Sequence, residues 1–305
     1  MVGGRAGAQR RQGSRFGRYV LRRLPGRKVL APIVVVVAVI AGCHSSTHPT
    51  QVELPFTGLV GPKGLALDAA GNVYVIDDGH SRMLKLPVGS NVSVEVPLPG
   101  LKDPLGLAVS DNGSAYIADN SDNRVYELPA GSKTPVELPF TGLKMPFGMA
   151  VDTAGDVYVT DYTPRVLKLP VGSSTPVELP FTGLRDPLGT AVNAAGDVYV
   201  TNCDVPDGRD SRVLKLPVGS STPVELPFSG LKCPKGVAVD AAGDVYVIDV
   251  GGNAGRVFKL PAGSNTQVQL SFAGLTTPLG IAVDSAGSVY VTDNTNNRVL
   301  KLSAK

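Results

Sequence analysis

The sequence predicts an all-β protein, a six-bladed β-propeller built from four-stranded antiparallel blades. One stretch of sequence recurs six times, beginning with Pro-x-Gly at Pro62, Pro104, Pro146, Pro187, Pro234 and Pro278. The steps between copies are 42, 42, 41, 47 and 44 residues, a period typical of propellers and solenoids. Each repeat divides into four strands, and the strand missing from the last repeat is found at the start of the first.

The first repeat shows how the four strands are recognised. They are predicted at residues 64–68, 73–77, 82–86 and 92–98, which are rich in Val, Tyr and Leu and bounded by Gly, Pro and Ser. Residues 69–72 form a tight turn, because Gly tolerates positive φ and Asn favours turns. Pro recurs too often for helices of ten or more residues. Four antiparallel strands in about 43 residues correspond to one propeller blade.

The two ends of the repeat region predict how the ring closes. The sixth repeat stops after its third strand, at residues 298–302. Residues 51–59 match residues 135–143, the fourth-strand sequence of the second repeat. The N-terminal strand is therefore expected to complete the last blade. Closure of this kind leaves no unpaired first or last blade and so removes an exposed edge.

Several phrases carry a family resemblance. Asp-x-x-Gly-x-Val-Tyr-Val-x-Asp followed by Asn-x-Arg-Val resembles the NHL repeat, and residues 119–125 and 293–299 match it best. Leu-Pro-Phe-Thr-Gly-Leu and Val-Leu-Lys-Leu-Pro-x-Gly-Ser are similar to the extracellular sensor domain of mycobacterial receptor serine/threonine kinases, over about residues 51–305. The resemblance implies a sensor without its kinase, since the kinase motifs are absent from this sequence.

Residues 1–42 have the pattern of a secretory leader. They contain eight Arg, one Lys and no Asp or Glu, and residues 29–42 are continuously apolar. The leader ends in Ile-Ala-Gly followed by Cys43, which resembles the bacterial lipobox, and that resemblance implies lipidation at Cys43. The expected location is extracytoplasmic, with anchorage to the cell membrane as a lipoprotein. The alternative is an uncleaved single-pass signal anchor, although fourteen apolar residues are short for a membrane span.

Charge and composition exclude some partners. Without the nine basic residues of the leader, 20 basic and 26 acidic residues remain, a net charge of −6. A mildly acidic propeller is not expected to bind nucleic acid, because phosphate binding requires a basic face. Residues 43–50 are a short polar tether, and its two His residues have no nearby acidic partners that would favour a metal site. No metal and no cofactor is predicted for the propeller at residues 51–305.

Residues that recur in every blade are assigned to the scaffold. Six Tyr residues at one repeat position predict core packing between blades. The Asp or Asn that ends each second strand and the Arg that begins each third strand predict caps and exposed ion pairs, worth about 0–1 kcal/mol each. Third-strand Lys residues such as Lys85 are expected to face fourth-strand Glu residues such as Glu95, while blade two would place Glu127 against Glu137.

Two cysteines lie in the repeat region. Cys203 follows the second strand of blade four and Cys233 precedes the first strand of blade five, and in a propeller these loops emerge on the same face. Because disulfides persist outside the cytoplasm, a Cys203–Cys233 disulfide is predicted. The loop after Cys203 carries Asp204, Asp207 and Asp210, but their spacing does not match a known calcium loop.

Catalytic residues are poorly represented. The propeller holds one His, His80, on a loop that varies between repeats. Related propeller lyases and lactonases use several His residues or a Glu/Asn/Asp metal set at the central channel. The first strands of this sequence carry no such set, and His80 cannot form a metal site alone. No catalytic residue is therefore assigned. The alternative function, a propeller lyase or lactonase-like hydrolase, stays open.

One position of the repeat varies and therefore predicts the binding face. The residue between Pro and Gly begins each first strand at the predicted channel mouth, and neighbouring loops carry His80 and Tyr162. The ligand-binding candidates at the variable position are Lys63, Leu105, Phe147, Leu188, Lys235 and Leu279. The alternative is that these side chains only fill the channel. The sequence thus predicts a binding, sensor or scaffold module for an envelope protein, peptide or small ligand.

Overall fold

The structure is a computed structural model that describes residues 49–204, 210–252 and 254–304. Within these residues the chain forms six separate four-stranded antiparallel sheets, so the predicted six-bladed β-propeller is confirmed. The leader at residues 1–42, the lipidation candidate Cys43 and most of the tether lie outside the described residues. The helices in the described residues are two three-residue 3-10 helices, Asp78–His80 and Asn294–Asn296, and neither has the length or the hydrophobicity of a membrane span.

The strands fall into four classes by their place in the blade. The first strands contact one another around the axis and are β2 (Pro62–Leu67), β6 (Pro104–Val109), β10 (Met149–Val151), β14 (Asp186–Val192), β18 (Pro234–Val239) and β22 (Pro278–Val283). The second strands are β3 (Val73–Asp77), β7 (Ala115–Asp119), β11 (Val157–Asp161), β15 (Val198–Cys203), β19 (Val245–Asp249) and β23 (Val289–Asp293). The third strands are β4 (Arg82–Leu86), β8 (Arg124–Leu128), β12 (Arg165–Leu169), β16 (Arg212–Leu216), β20 (Arg256–Leu260) and β24 (Arg298–Leu302). The outer strands are β1 (Gln51–Glu53), β5 (Val94–Pro97), β9 (Val136–Glu137), β13 (Val177–Glu178), β17 (Val224–Glu225) and β21 (Val268–Gln269).

The ring closes as the sequence predicts. Strand β1 pairs antiparallel with β24, with Gln51 opposite Leu302 and Glu53 opposite Leu300. The sixth blade therefore has the order β1-β24-β23-β22, with its outer strand taken from the N-terminal end of the repeat region. In the first blade, β2 begins at Pro62 and β5 covers only residues 94–97, so the predicted strand bounds are wrong by a few residues.

The hydrophobic core lies between neighbouring blades. One cluster joins Tyr116 and Val125 of the second blade to Met149 and Val159 of the third, with Phe140 from the connection between these two blades. Equivalent clusters occur at the other blade interfaces, including the one that joins the sixth blade to the first. The repeated Tyr residues are buried in these clusters, as predicted, and most of them donate a hydrogen bond to the Asp of the nearby turn, as Tyr158 does to Asp152 (2.9 Å).

The position after x in each Pro-x-Gly segment must be glycine, because the first strand of the next blade approaches it too closely for a side chain. A Cβ added to Gly64, Gly236 or Gly280 would lie 2.5 or 2.6 Å from a backbone carbonyl of the following first strand. At Gly106, Gly148 and Gly189 the added atom would come closer still. Real Cβ atoms do not tolerate such distances, so the innermost strands can pack around the axis only because these positions lack a side chain.

Threonine hydroxyls tie some blades together at the same place. The Thr160 hydroxyl accepts a hydrogen bond from Gly148 N (2.9 Å) and donates one to Leu188 O of the next blade (2.6 Å). Thr201 and Thr292 make the equivalent bridges to the carbonyls of Lys235 and Lys63. The carbonyls that approach Gly148, Gly189 and Gly280 are thereby each held by a hydrogen bond.

The predicted caps and Asp–Arg pairs form in most blades. The Asp residues that end the second strands are nevertheless fully buried, so the prediction that these pairs are exposed is wrong. Asp249 is 0% exposed and accepts hydrogen bonds from the backbone N–H groups of Lys232 (2.9 Å) and Cys233 (2.8 Å), besides pairing with Arg256. Asp77 pairs similarly with Arg82 (2.9 Å). Each such carboxylate fixes the connection that leads into its own first strand.

The predicted Lys–Glu pairs across the third and fourth strands are also wrong. Lys85 lies opposite Val94 rather than Glu95, and its ammonium approaches Asp68 in the turn between the first two strands (3.8 Å). Glu95 instead pairs with Arg82 (2.7 Å). In blade two, Glu137 pairs with Arg124 (2.7 Å), so the expected pair of facing carboxylates does not form.

Blade four departs from this pattern and provides a test of it. Asn202 stands where most blades have Asp; it accepts hydrogen bonds from Arg185 N (2.7 Å) and Asp186 N (3.3 Å), yet Arg212 Nε is buried without a partner among the described residues. We expect Asn202→Asp to supply the missing acceptor and raise the free energy of unfolding by about 1 kcal/mol or more. Urea unfolding of the two proteins measures the difference, and a destabilised Asn202→Asp protein would contradict this explanation.

Candidate ligand-binding site at the channel mouth

The six first strands begin at one end of the axial channel, here called the channel mouth. The void at this end measures about 160 Å³. Its lining comes from two successive rings of residues at the start of the first strands, with the glycines of the Pro-x-Gly segments between them. The upper ring is the variable position between Pro and Gly. The lower ring comprises Leu65, Leu107, Met149, Thr190, Val237 and Ile281.

Five of the six predicted candidates line this void. They are Lys63, Leu105, Phe147, Lys235 and Leu279, and all five are half-buried. Leu188 does not line it, because Leu188 is buried against Cys203 and Cys233. In the lower ring Thr190 is the single polar side chain, and its buried hydroxyl has no hydrogen-bond partner among the described residues.

Lys63 is neutralised within the protein. Its ammonium lies 3.0 Å from both Asp78 and Asp103, and its side chain is 18% exposed. Burial alone would lower the pKa of Lys63, but the hydrogen bonds and charges of Asp103 and Asp78 outweigh it and raise that pKa. Lys63 is therefore occupied as a structural cation, and it is not free to pair with a ligand as the sequence suggested.

Lys235 has the opposite environment. Its ammonium makes no salt bridge or hydrogen bond among the described residues and lies 5.8 Å from the centre of the Phe147 ring. Burial lowers the pKa of Lys235, against the opposing charge of Asp186. Burial likewise raises the pKa of the half-buried Asp186, with Lys235 opposing. Lys235 thus lines the void without an ionic partner, and Asp186 is close enough to influence its charge without direct contact, within the part of the chain that the structure describes.

A disulfide bond joins Cys203 to Cys233, whose Cα atoms are 4.6 Å apart. It connects the end of β15 to the residue before β18, two positions before Lys235 in the chain. The disulfide packs on Leu188 and Phe147, so it supports the part of the mouth that carries the free ammonium.

The two loop candidates lie outside the lining of the void. His80 ends the short 3-10 helix Asp78–His80, and its Nδ1 lies 2.9 Å from Oδ2 of the buried Asp77. Tyr162 is 62% exposed, and its backbone N–H donates to Lys144 O (2.7 Å). His80 and Tyr162 therefore flank the candidate site on the same face without taking part in it.

Sequence reasoning missed the acidic residues of the mouth. Asp103 and Asp186 both immediately precede the Pro of a Pro-x-Gly segment, where other repeats carry Gly, Met, Cys or Thr. This position varies as much as the one between Pro and Gly, and that variation was the available signal. Among the residues that the structure describes, no three His, Cys, Asp or Glu side chains are grouped as a metal site.

Comparison with known sequences gives two findings. Residues 275–302 match the family model described as the NHL repeat. The chain is 47% identical over 81 residues to the serine/threonine-protein kinase PknD of Mycobacterium tuberculosis. That alignment covers 21% of this chain and 12% of the kinase, so the chain corresponds to only a small part of that relative.

Solved structures share the fold at low sequence identity. A gluconolactonase from Xanthomonas campestris has a TM-score of 0.69 and 15% identity, over 84% of this chain and 89% of that one. A chain of a nidogen/laminin complex has a TM-score of 0.65 and 20% identity, over 73% and 86%. A streptogramin B lyase has a TM-score of 0.63 and 16% identity, over 85% and 98%. These similarities establish the propeller fold alone.

Proposed function

We propose that this chain is a binding module of the cell envelope, a sensor or scaffold that takes its ligand or partner at the channel mouth. The observation that carries the proposal is the contrast between repeat positions. Residues fixed in the blades serve packing and caps, whereas the variable ring leaves an apolar void beside an unpaired ammonium. The similarity to a stretch of PknD supports a sensor role and a location outside the cytoplasm.

A stability screen against envelope sugars, peptides, amino acids and lipids tests this function. A true ligand should raise the melting temperature of the wild type and of Val171→Glu, which places a charge in a turn at the opposite end of the blades. Phe147→Ala should weaken binding of the same ligand about 5- to 150-fold, the effect of losing a central aromatic anchor. A ligand whose binding survives Phe147→Ala but is abolished by Val171→Glu would assign function to the opposite face.

Anchoring to the membrane is proposed from the leader. If Cys43 is lipidated after cleavage, Cys43→Ala is expected to abolish metabolic labelling by a fatty acid and to retain the 42-residue leader. Gel mobility and mass spectrometry of the membrane fraction measure both. A wild-type protein that carries no label and keeps its leader would support the uncleaved signal anchor instead.

An enzymatic function is the second candidate, and the His80–Asp77 pair favours it. A buried carboxylate bonded to an imidazole can orient the ring as a general base. The expected signature is turnover of a lactone or ester that His80→Gln abolishes while ligand binding at the mouth persists. Equal turnover by wild type and His80→Gln would remove this candidate.

A further inference from the structure

Unpaired charges at the channel mouth restrict the kind of ligand it can take. Among the described residues, Lys63 already contacts two acidic side chains near the mouth, Asp78 and Asp103. Lys235 and Asp186 remain, and neither side chain has a salt bridge or hydrogen bond among the described residues. A half-buried charge without a direct partner loses part of its hydration and regains little of that loss from a distant opposite charge, so each group is available to a charged ligand.

The two free charges differ in sign and lie on neighbouring strands. Lys235 is in β18 and Asp186 is the first residue of β14, and these strands pack side by side. Each charge influences the other, yet the two groups are more than 4.0 Å apart, because no salt bridge forms at that limit. A ligand that carries one positive and one negative group could therefore satisfy both.

The void beneath them sets the size and character of the rest of the ligand. It measures about 160 Å³, well below the roughly 300–1,000 Å³ of pockets for drug-sized molecules. Below the charged rim it is lined by Leu, Met, Val and Ile residues and by Thr190, with Phe147, Leu105 and Leu279 above them. A short aliphatic group fits this space, whereas a sugar ring carries several hydroxyl groups and Thr190 is the single polar side chain of this ring that could bond to them.

Together these features identify a chemical class. We propose that the channel mouth binds a free α-amino acid with a small aliphatic side chain. Its carboxylate pairs with the Lys235 ammonium, its ammonium pairs with the Asp186 carboxylate, and its side chain enters the void between Leu105 and Leu279. This inference rests on the proposed function and specifies the ligand of the same site.

The simpler alternatives leave part of the site unexplained. A monocarboxylate would pair with Lys235 but place a second negative charge near Asp186. An amine would pair with Asp186 but add a positive charge beside Lys235. Only the zwitterion removes both unpaired charges at once, and the charge-assisted hydrogen bonds that it makes are the strong kind.

Titration calorimetry with matched ligands tests the zwitterion. Alanine and valine, each as both enantiomers, are compared with propionate and 3-methylbutanoate, which lack the amino group, and with ethylamine and isobutylamine, which lack the carboxylate. At least one amino acid is expected to bind about tenfold or more tightly than either of its analogues, because each analogue leaves one charged partner buried and unpaired. Binding of an analogue as tightly as its parent amino acid would overturn the proposal.

Matched variants test the residues. Lys235→Met and Asp186→Asn should each weaken amino-acid binding about tenfold or more. Lys232→Met is the control, since it removes the same charge from an exposed side chain three residues away, and it should change affinity less than twofold. Melting temperatures verify folding, and Lys235→Met should melt no lower than wild type because it removes an unpaired half-buried charge. Wild-type affinity in Lys235→Met would contradict the assignment.

Failure of this inference is distinguishable from failure of the proposed function. If no amino acid binds but another envelope component does, and Phe147→Ala weakens it, the amino-acid assignment is wrong and the binding function stands. If an amino acid binds and all mouth variants bind it equally, the ligand lies elsewhere and both are wrong.

Discussion

Gly148→Ala is expected to destabilise the propeller by about 3 kcal/mol or more, the upper range for overpacking a closed core. The added Cβ would lie 2.8 Å from both Thr160 Oγ1 and Thr190 N, and closer still to Leu188 O of the next blade. Two of these atoms belong to the backbone, and Thr160 Oγ1 is held in place by its hydrogen bonds with Gly148 N and Leu188 O. The ring must therefore either open between blades three and four or distort both first strands.

Urea unfolding followed by circular dichroism measures the loss, with Gly252→Ala as the matched control. An alanine Cβ at Gly252 would have Ala254 O, at 3.8 Å, as its nearest neighbour. It should change the free energy of unfolding by less than about 0.5 kcal/mol, as surface substitutions usually do. If Gly148→Ala is as stable as this control, close packing around the axis does not hold the blades together.

Asp249→Ala is expected to cost about 3–5 kcal/mol, the range for removing one partner of a buried ion pair. Asp249 is fully buried, and its loss leaves Lys232 N, Cys233 N and the Arg256 guanidinium without their acceptor. Asp249→Asn should cost clearly less, because Asn202 shows that an amide at this position still accepts two backbone hydrogen bonds.

Chemical unfolding of the three proteins at neutral pH provides the comparison. The expected order of stability is wild type, then Asp249→Asn, then Asp249→Ala. Near-equal stability of wild type and Asp249→Ala would mean that the Arg256 and backbone contacts contribute nothing net. Asn202→Asp in blade four completes the test, since this substitution is expected to raise the free energy of unfolding rather than lower it.

Repetition explains why the sequence predicted the fold so fully. Six copies of one sequence motif allow the strand order, the turns and even the closing strand to be predicted, because each blade repeats the same local pattern of residues. The partners in the ion pairs were harder to predict from the sequence. Pairing Lys85 with Glu95 required the register of β4 against β5, and that register places Glu95 opposite Leu84 instead. A shift by one residue changes every cross-strand partner.

The sequence predicted where the candidate site lies, but it did not predict which charged side chains of the site are paired. Variation between Pro and Gly correctly located five of the residues that line the void. It could not show that Lys63 is neutralised while Lys235 is free, because Asp78, Asp103 and Asp186 reach the mouth from loops and neighbouring blades. Such contacts depend on how the ring closes, and they are visible only once the blades are assembled.

Methyl NMR during a titration with unlabelled valine tests the central claim, that ligand binding belongs to the channel mouth. The chain supplies its own controls, because Val136, Val177, Val224 and Val268 are exposed on the outer strands, far from the axial first strands. We predict that the methyl signals of Leu105, Val237 and Leu279 shift with valine concentration while the outer valines stay fixed. Shifts confined to the outer valines, with unchanged channel methyls, would contradict this account.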